Sequence, residues 1–208
     1  SYPTDTDTFK ALTGVNWQPL RRVFWTVPER KVVDCVRTVL LYAGGDDLRD
    51  LLPCLFELLQ PIFPEAMFHL VVGSFSRNLD KLRHMSNFFG SGSPMHLHID
   101  ATSTAMKRLM IDSDLAVVAA GQVTYELARC RLPSILFGTA DNQALNAVGW
   151  QRSGVFPFAG WWSDANLFTS ISQLATELAK PSTREVIVKS AQNIVDGNSM
   201  RRLLQYQM

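Results

Sequence analysis

The sequence has no excess of charge of either sign. Its 20 lysine and arginine residues nearly balance 19 aspartate and glutamate residues, which leaves a formal net charge of +1 on 208 residues. Such a balance offers no electrostatic basis for binding nucleic acid or an anionic membrane. We therefore expect neither of them as a partner.

Long apolar runs are also missing. No stretch reaches the ~18 apolar residues that a membrane-spanning helix needs. The first residues, SYPTDTDTF, have neither the basic end nor the apolar core of a secretory signal. These absences predict a chain with no membrane span, and we expect it to be cytoplasmic.

Cysteine is scarce. The three cysteines, Cys35, Cys54 and Cys130, are widely spaced and each lies in an apolar segment. An odd, scattered set of this kind is not typical of a disulfide framework. We expect three buried free thiols in a reducing compartment.

One short pattern suggests a metal site. His96, His98 and Asp100 alternate along a predicted strand, so their side chains would share one face. No later cluster of histidine or cysteine completes a ligand shell, and the interpretation we prefer is a solvated strand end. We expect no bound metal and no cofactor.

What the sequence does contain is a regular alternation of apolar runs with helical patterns. The predicted strands are 37–43, 67–73, 95–99, 115–119, 134–137 and 155–158. The predicted helices are 46–60, 76–87, 103–111, a short one that Pro133 closes, 143–152, 164–178, 183–195 and 199–205. The expected helix caps are Asp46 or Asp47, Asp164, and Ser182 or Thr183.

Strands that alternate with helices indicate right-handed βαβ units and a parallel sheet. We predict an α/β fold with a Rossmann-like, doubly wound parallel sheet of about six strands in the order 3-2-1-4-5-6. The switch point then lies between the strands that end at Ala43 and Ala119. We expect residues 1–28 to be an N-terminal arm or interdomain linker, of which residues 14–28 pack through their aromatic side chains, and residues 29–208 to be the Rossmann-like domain.

Two glycine turns meet at this switch point. Gly44 and Gly45 end the first strand, and Gly121 follows the fourth. Thr124 and Glu126 lie in the first turn of the next helix, where free N–H groups and the helix dipole can meet a polar ligand. Because open α/β sheets bind ligands at this edge, the sequence predicts a binding crevice here.

Four segments of the chain, taken in order, resemble one protein family. They are GVNWQPLRRVF (14–24), VLLYAGGDD (39–47), MIDSDLAVVAAGQVTYELARCRLPSILFGTADNQ (110–143) and NIVDGNSMRRL (193–203). The chain resembles the C-terminal half of the UDP-2,4-diacetamido-2,4,6-trideoxy-β-L-altropyranose hydrolases of pseudaminic acid biosynthesis. Those are two-domain enzymes of glycosyltransferase-B fold. Wider relatives, in glycosyltransferase family 28, include the N-acetylglucosaminyltransferase of peptidoglycan lipid II synthesis.

The resemblance implies a nucleotide site on the glycine turns. Gly44 and Gly45 match a turn whose N–H groups approach the diphosphate. Gly121 and Thr124 match a glycine and hydroxyl turn on phosphate, and Gln122 stands where that turn has a hydroxyl. The Gln122 amide could replace the missing donor.

The same resemblance implies roles for residues outside the glycine turns. Ile99 matches a main-chain contact to uracil, and Glu126 matches the carboxylate that accepts hydrogen bonds from the ribose. Asn142 and Gln143 match a pair on the sugar side of the cleft, and Arg21 matches the interdomain linker on that side. We therefore expect a UDP-sugar or another uridine nucleotide as the ligand.

Two features depart from the family. Asp46 replaces a serine after the glycine pair, and its carboxylate would repel a diphosphate unless it faces away as the helix cap. The family's catalytic histidine and glycine-rich loop belong to its N-terminal domain, and no Gly-x-Gly-His occurs in this sequence. We expect no catalytic residue in this chain and a partner domain that supplies the base.

These observations favour one function and leave a second open. The first is the UDP-sugar-binding half of a two-domain sugar-nucleotide hydrolase or glycosyltransferase of nonulosonic acid or glycan biosynthesis. The alternative is a catalytically decayed Rossmann-like module with a docking or regulatory role, fused to a domain such as a cytidylyltransferase, which Asp46 and Gln122 favour. An NAD-binding domain is disfavoured, because no Gly-x-Gly-x-x-Gly follows the first strand.

Overall fold

A computed structural model describes residues 11–88, 92–192 and 194–206. One sheet of six parallel strands lies at the centre of these residues, in the order β3-β2-β1-β4-β5-β6. The strands are β1 (Thr38–Tyr42), β2 (Met67–Val72), β3 (Met95–Ile99), β4 (Leu115–Ala119), β5 (Ser134–Gly138) and β6 (Phe158–Trp161). This arrangement confirms the predicted fold class and strand order, with the switch point between β1 and β4.

Helices connect the strands and cover the sheet. They are α1 (Leu51–Leu59), α2 (Leu79–Phe88), α3 (Ser103–Asp112), α4 (Val123–Cys130), α5 (Ala144–Ser153), α6 (Leu167–Leu178), α7 (Pro181–Ala191) and α8 (Ser199–Tyr206). Short 3-10 turns occur at Arg22–Phe24 and Asp141–Gln143. Within the described ranges, no helix combines the length and apolar character that crossing a membrane requires.

The central strands are buried on both faces. All five residues of β4 and all five of β5 are buried. Val39, Leu40 and Leu41 of β1 are also fully buried, and Val39 is in register with Leu115 of β4. Continuous apolar runs of this kind are what a parallel sheet covered on both sides requires, because neither face meets water.

Several predicted boundaries were wrong by a few residues. Helix α1 begins at Leu51 rather than near residue 46, because Asp47 and Asp50 have left-handed backbones, with φ of 42° and 52°, which an α-helix cannot include. Helix α2 begins at Leu79 rather than at 76. Strand β6 begins at Phe158 rather than at 155, since the preceding Pro157 has no N–H for a ladder.

The last three helices also differ in their caps or ends. The N-cap of α6 is Asn166 rather than Asp164, whose carboxylate instead accepts a hydrogen bond from the backbone N of Trp161 at 2.7 Å. The N-cap of α7 is Lys180 rather than Ser182 or Thr183, because Pro181 is a favourable first helical residue. Helix α7 ends at Ala191, before the predicted residue 195, and α8 matches its prediction within a residue.

Two of the three cysteines contradict the expectation of buried thiols. Cys35, before β1, and Cys54, on α1, are exposed, whereas Cys130 is buried. Burial raises the pKa of the Cys130 thiol to about 12, so this thiol stays protonated at neutral pH. An apolar segment hides only the residues on its inward face, and these two side chains lie on the outer side.

The described part of the arm packs on the domain, as the aromatic residues of the sequence predicted. The side chain of Phe24 is fully buried, and that of Leu20 is 6% exposed. Arg129 of α4 fixes the arm by donating hydrogen bonds to the backbone oxygens of Phe24 at 3.1 Å and Trp25 at 2.8 Å. The arm therefore crosses the domain next to the predicted crevice.

We expect Gly138→Ala to destabilise the fold. A Cβ atom at Gly138 would lie 2.2 Å from Cε3 of Trp161, so the indole ring on β6 would have to move. Overpacking of this kind costs ~1–3 kcal/mol of unfolding free energy. Urea denaturation of the two proteins measures the difference.

The matched control is Gly149→Ala in α5, where nothing lies within 4 Å of the added Cβ. This change should leave the unfolding free energy unchanged or raise it by up to ~1 kcal/mol, because alanine is a better helix-forming residue than glycine. Equal stability of the Gly138→Ala variant and the wild-type protein would show that the Trp161 ring is not fixed where the structure has it.

Candidate functional site

A crevice of about 520 Å³ opens at the carboxyl ends of the strands, at the switch point between β1 and β4. Its walls come from the arm, the turns after β1, β2 and β3, and the first turns of α4. The lining residues are Gln18, Pro19, Leu20, Arg21, Tyr42, Gly45, Val71, Val72, Gly73, Asp100, Ala101, Met106, Gln122, Val123 and Glu126. Four residues predicted for the site, Arg21, Gly45, Gln122 and Glu126, are therefore brought together.

The turn after β1 forms one side of the crevice. Gly44 has a φ of 94°, a conformation that favours glycine, and Gly45 accepts a hydrogen bond from the backbone N of Gly73 after β2. A Cβ at Gly73 would lie 3.0 Å from the backbone oxygen of Gly45. The two turns are thus tied together, and only a residue without a side chain fits at Gly73 without displacement.

The carboxylate of Asp47 caps the N-terminus of α1. Its two oxygens accept hydrogen bonds from the backbone N of Leu51 at 2.9 Å and of Leu52 at 3.1 Å. Of the two predicted caps, Asp46 and Asp47, it is therefore Asp47 that caps the helix, and Asp46 is exposed. Asp50 occupies the N-cap position, but its side chain makes no capping hydrogen bond. Asp47 is only 1% exposed, and its desolvation raises the pKa of the carboxyl to about 6.

Glu126 of α4 forms a two-pronged ion pair with Arg21 of the arm. Nε of Arg21 donates to one carboxylate oxygen and Nη2 to the other, both at 2.6 Å, and Nη1 donates to Oγ of Ser103 at 3.0 Å. This hydrogen bonding raises the pKa of Arg21. A carboxylate accepts about four hydrogen bonds, so Arg21 leaves about one position on each oxygen of Glu126.

Thr124 holds the turn at Gly121, after β4, from its buried side. Its buried hydroxyl donates to the backbone oxygen of Gly121 at 2.7 Å and accepts from Nε1 of Trp150 at 2.8 Å. The side chain has no exposed surface, so its hydroxyl is not presented to the crevice. Gln122 is exposed on the crevice wall and offers a polar side chain there.

The remaining predicted residues lie outside the crevice lining. Ile99 is 37% exposed at the end of β3, one residue before Asp100. Gln143 binds back to the end of β5, where its Oε1 accepts from the backbone N of Thr139 at 2.9 Å. Asn142 is exposed beside it. In this structure Gln143 orders the polar turn after β5.

Sequence reasoning missed the role of Asp100. This residue has a φ of 51°, and its Oδ1 accepts a hydrogen bond from the backbone N of Ser74 at 2.8 Å. Hydrogen bonding by the side chain of Ser74, and then by its backbone N–H, lowers the pKa of the Asp100 carboxyl. The sequence offered one signal, since aspartate tolerates the left-handed turn that follows a strand better than most residues do. The alternation with histidines raised a metal site only as the less favoured interpretation, and the preferred one was a solvated strand end.

The histidines pack on one another across the sheet edge. Nδ1 of His69 on β2 lies 2.9 Å from Nε2 of His98 on β3, and the ring of His96 stacks on that of His69. Burial and the two neighbouring histidines lower the pKa of His69 to about 4. Within the described part of the chain, no three histidine, cysteine, aspartate or glutamate side chains are arranged to hold a metal ion.

The fold is that of the C-terminal domains of glycosyltransferases of the GT-B class. MurG from Acinetobacter baumannii superimposes with a TM-score of 0.64 at 15% identity, over 88% of this chain and 55% of that chain. The spinosyn rhamnosyltransferase SpnG, complexed with thymidine diphosphate, superimposes with a TM-score of 0.54 at 13% identity, over 80% of this chain and 42% of that chain.

A single domain of this class superimposes over nearly its whole length. The C-terminal CMP-Kdo-binding domain of WaaA from Acinetobacter baumannii has a TM-score of 0.51 at 11% identity, over 78% of this chain and 90% of that chain. The chain thus spans about half of the full-length glycosyltransferases above. Neither a protein-family model nor a curated protein matches the sequence. At these identities the similarity is one of fold.

Asp47 should make the stability of the protein depend on pH. Its pKa is about 6 in the folded state against 3.8 in the unfolded chain, so the folded state binds more protons between these values. The buried charge of Asp47 therefore lowers the unfolding free energy at pH values above the folded-state pKa. This loss disappears as the pH falls through the window from about 6 to about 4, so the protein becomes more stable there.

Asp47→Asn removes this titration and serves as the reference. The wild-type protein should gain ~1–3 kcal/mol of unfolding free energy relative to the variant between about pH 7.5 and about pH 4.5. Urea denaturation at both pH values measures the gain. A difference between the two proteins that stays constant with pH would contradict the proposed titration.

Proposed function

We propose that this chain is the nucleotide-sugar-binding half of a protein of glycosyltransferase-B type, with its ligand in the crevice between β1 and β4. The observation that carries the proposal is this crevice, which lies at the switch point between two glycine turns, where doubly wound sheets bind ligands. Support comes from structures of the same fold, of which one is a complex with thymidine diphosphate and one is a CMP-Kdo-binding domain.

The geometry suggests how a nucleotide would be held. The backbone N–H groups of Gly45 and of the first turn of α4 would approach the phosphates, where the helix dipole also favours negative charge. The ribose hydroxyls would donate to the two positions on the Glu126 carboxylate that Arg21 leaves open. In this arrangement Arg21 would orient Glu126. The nucleotide base would lie towards Ile99, and the sugar would lie towards Asn142 and Gln143.

From the sequence resemblance we further propose that the ligand is a UDP-sugar. The complete protein would be a two-domain hydrolase of the pseudaminic acid type or a related transferase. Its catalytic base would come from another domain, which residues 11–28 would join to this one. The chain's coverage of only 42–55% of two full-length glycosyltransferases supports this division. This half alone would bind the nucleotide and leave it unreacted.

A specific observation favours a second candidate, the docking or regulatory module. The amides at the start of α1 are taken by Asp47, and both oxygens of Glu126 are engaged by Arg21. A crevice whose polar groups satisfy one another is stable without a ligand, as a decayed site would be. Under this alternative, no uridine nucleotide binds.

The contact between Glu126 and the ribose can first be tested by changing the ligand, which leaves the ion pair of Glu126 with Arg21 intact. We expect UDP to bind the wild-type protein at least ~10-fold more tightly than 2′,3′-dideoxy-UDP, because hydrogen bonds to a charged group contribute ~1.5–3 kcal/mol. Glu126→Gln should lose most of that ratio, whatever its effect on overall affinity. Isothermal titration calorimetry with both ligands measures the ratio for each protein.

The control is Glu185→Gln on α7, which lies away from the crevice and should keep the wild-type ratio. Equal affinity of the wild-type protein for the two ligands would show that Glu126 does not bind the ribose hydroxyls. Absence of binding by UDP, UDP-sugars, CMP and GDP would instead favour the docking module.

A further inference from the structure

We infer that the crevice selects its ligand by charge and binds the less charged diphosphate ester of a sugar nucleotide in preference to the free nucleoside diphosphate. The inference rests on the proposed function, since it concerns the same crevice. It follows from a property that two turns and the arm share: in each of them a carboxylate of the protein already accepts the hydrogen bonds of backbone N–H groups or of the arginine.

Backbone donors show this property at two turns. At the start of α1, the Asp47 carboxylate accepts from the amides of Leu51 and Leu52. After β2, Asp100 accepts from the amide of Ser74. Each carboxylate therefore uses backbone N–H groups that would otherwise be open to another anion, and that of Asp100 places a negative charge in the crevice lining.

The side-chain cation is neutralised in the same way. Arg21 is the one lysine or arginine among the described residues that line the crevice, and both of its contacts to Glu126 are 2.6 Å long. Asp100 and Glu126 are the acidic residues of that lining, so its carboxylates outnumber its cation. Asp46 is exposed and follows Gly45 of the lining in sequence, so it carries a further carboxylate beside this turn.

The phosphate chain would therefore meet neutral N–H donors in a negative surrounding field. A diphosphate that is esterified at both ends lacks the terminal ionisation of a free nucleoside diphosphate, whose second pKa is about 6. Each extra negative charge is repelled by Asp100 of the lining and by Asp46, which follows Gly45 of the lining. Two like unit charges ~8 Å apart change affinity by ~2–30-fold as the effective dielectric constant falls from ~80 to ~20, and salt screening reduces the upper end of that range. The crevice would thus hold a sugar nucleotide and release the free diphosphate that hydrolysis or transfer leaves behind.

The test compares UDP with its β-methyl ester, which carries one negative charge fewer and has no sugar that could add contacts. Calorimetry of the chain in EDTA, which prevents bridging by divalent cations, should show the ester binding ~3–10-fold more tightly than UDP. Raising the salt from ~0.05 M to ~0.5 M should strengthen UDP binding, because screening weakens repulsion. A site dominated by cations would show the opposite salt dependence.

Asp100→Asn isolates one of the responsible charges. Asparagine tolerates the left-handed backbone at this position, and its side-chain oxygen can still accept from Ser74. This variant should tighten UDP binding ~2–5-fold and ester binding less. The matched control is Asp164→Asn, which removes a carboxylate that also accepts from a backbone amide but lies after β6, outside the crevice. It should change neither affinity.

The outcomes separate this inference from the proposed function. Tighter binding of UDP than of the ester, or UDP binding that salt weakens, would overturn the charge selection and leave the nucleotide site standing. Failure of UDP, its ester and UDP-N-acetylglucosamine to bind at all would overturn the proposed function, and the charge selection with it.

Discussion

The ion pair between Arg21 and Glu126 is the contact on which the crevice depends. It joins the arm to α4 across the open edge of the sheet, and it gives the carboxylate a partner. The side chain of Glu126 is only 9% exposed, whereas that of Arg21 is 43% exposed, so the carboxylate would lose more solvation if it stood alone. The arm is therefore part of the site, since it both forms a wall and holds the orientation of the residue that we assign to the ribose.

The parallel sheet explains why the polar groups converge. All the strands run in one direction, so the turns after β1, β2, β3 and β4 lie at the same edge, and the reversal of strand order at β1 and β4 separates the helices there. The same geometry brings Asp100 and Glu126 into the lining of one cavity, and Asp47 follows Gly45 of that lining by two residues. Each of them stabilises its own turn or helix, and together they set the electrostatic field that a ligand would meet.

The strands could be located because burial leaves a direct mark on sequence, and their order followed from the doubly wound arrangement that alternating strands and helices favour. Strands β4 and β5 are covered on both faces, so each is a run of small and apolar residues between turn residues. Helix starts were less predictable. The cap of α1 comes from Asp47, four residues before the helix, and two left-handed aspartates separate the turn from the first helical residue. No local pattern distinguishes that arrangement from a helix that begins at once.

The sequence by itself determined the α/β class, the position of the switch point and the two glycine turns, because these follow from apolar periodicity and backbone freedom along the chain. Only the tertiary structure decided how the polar residues are paired. Arg21 and Glu126 are 105 residues apart, and Asp100 and Ser74 are 26 apart, so each pair forms only when the strands are in register. The sequence shows which charges are present, and the fold decides which of them are already satisfied.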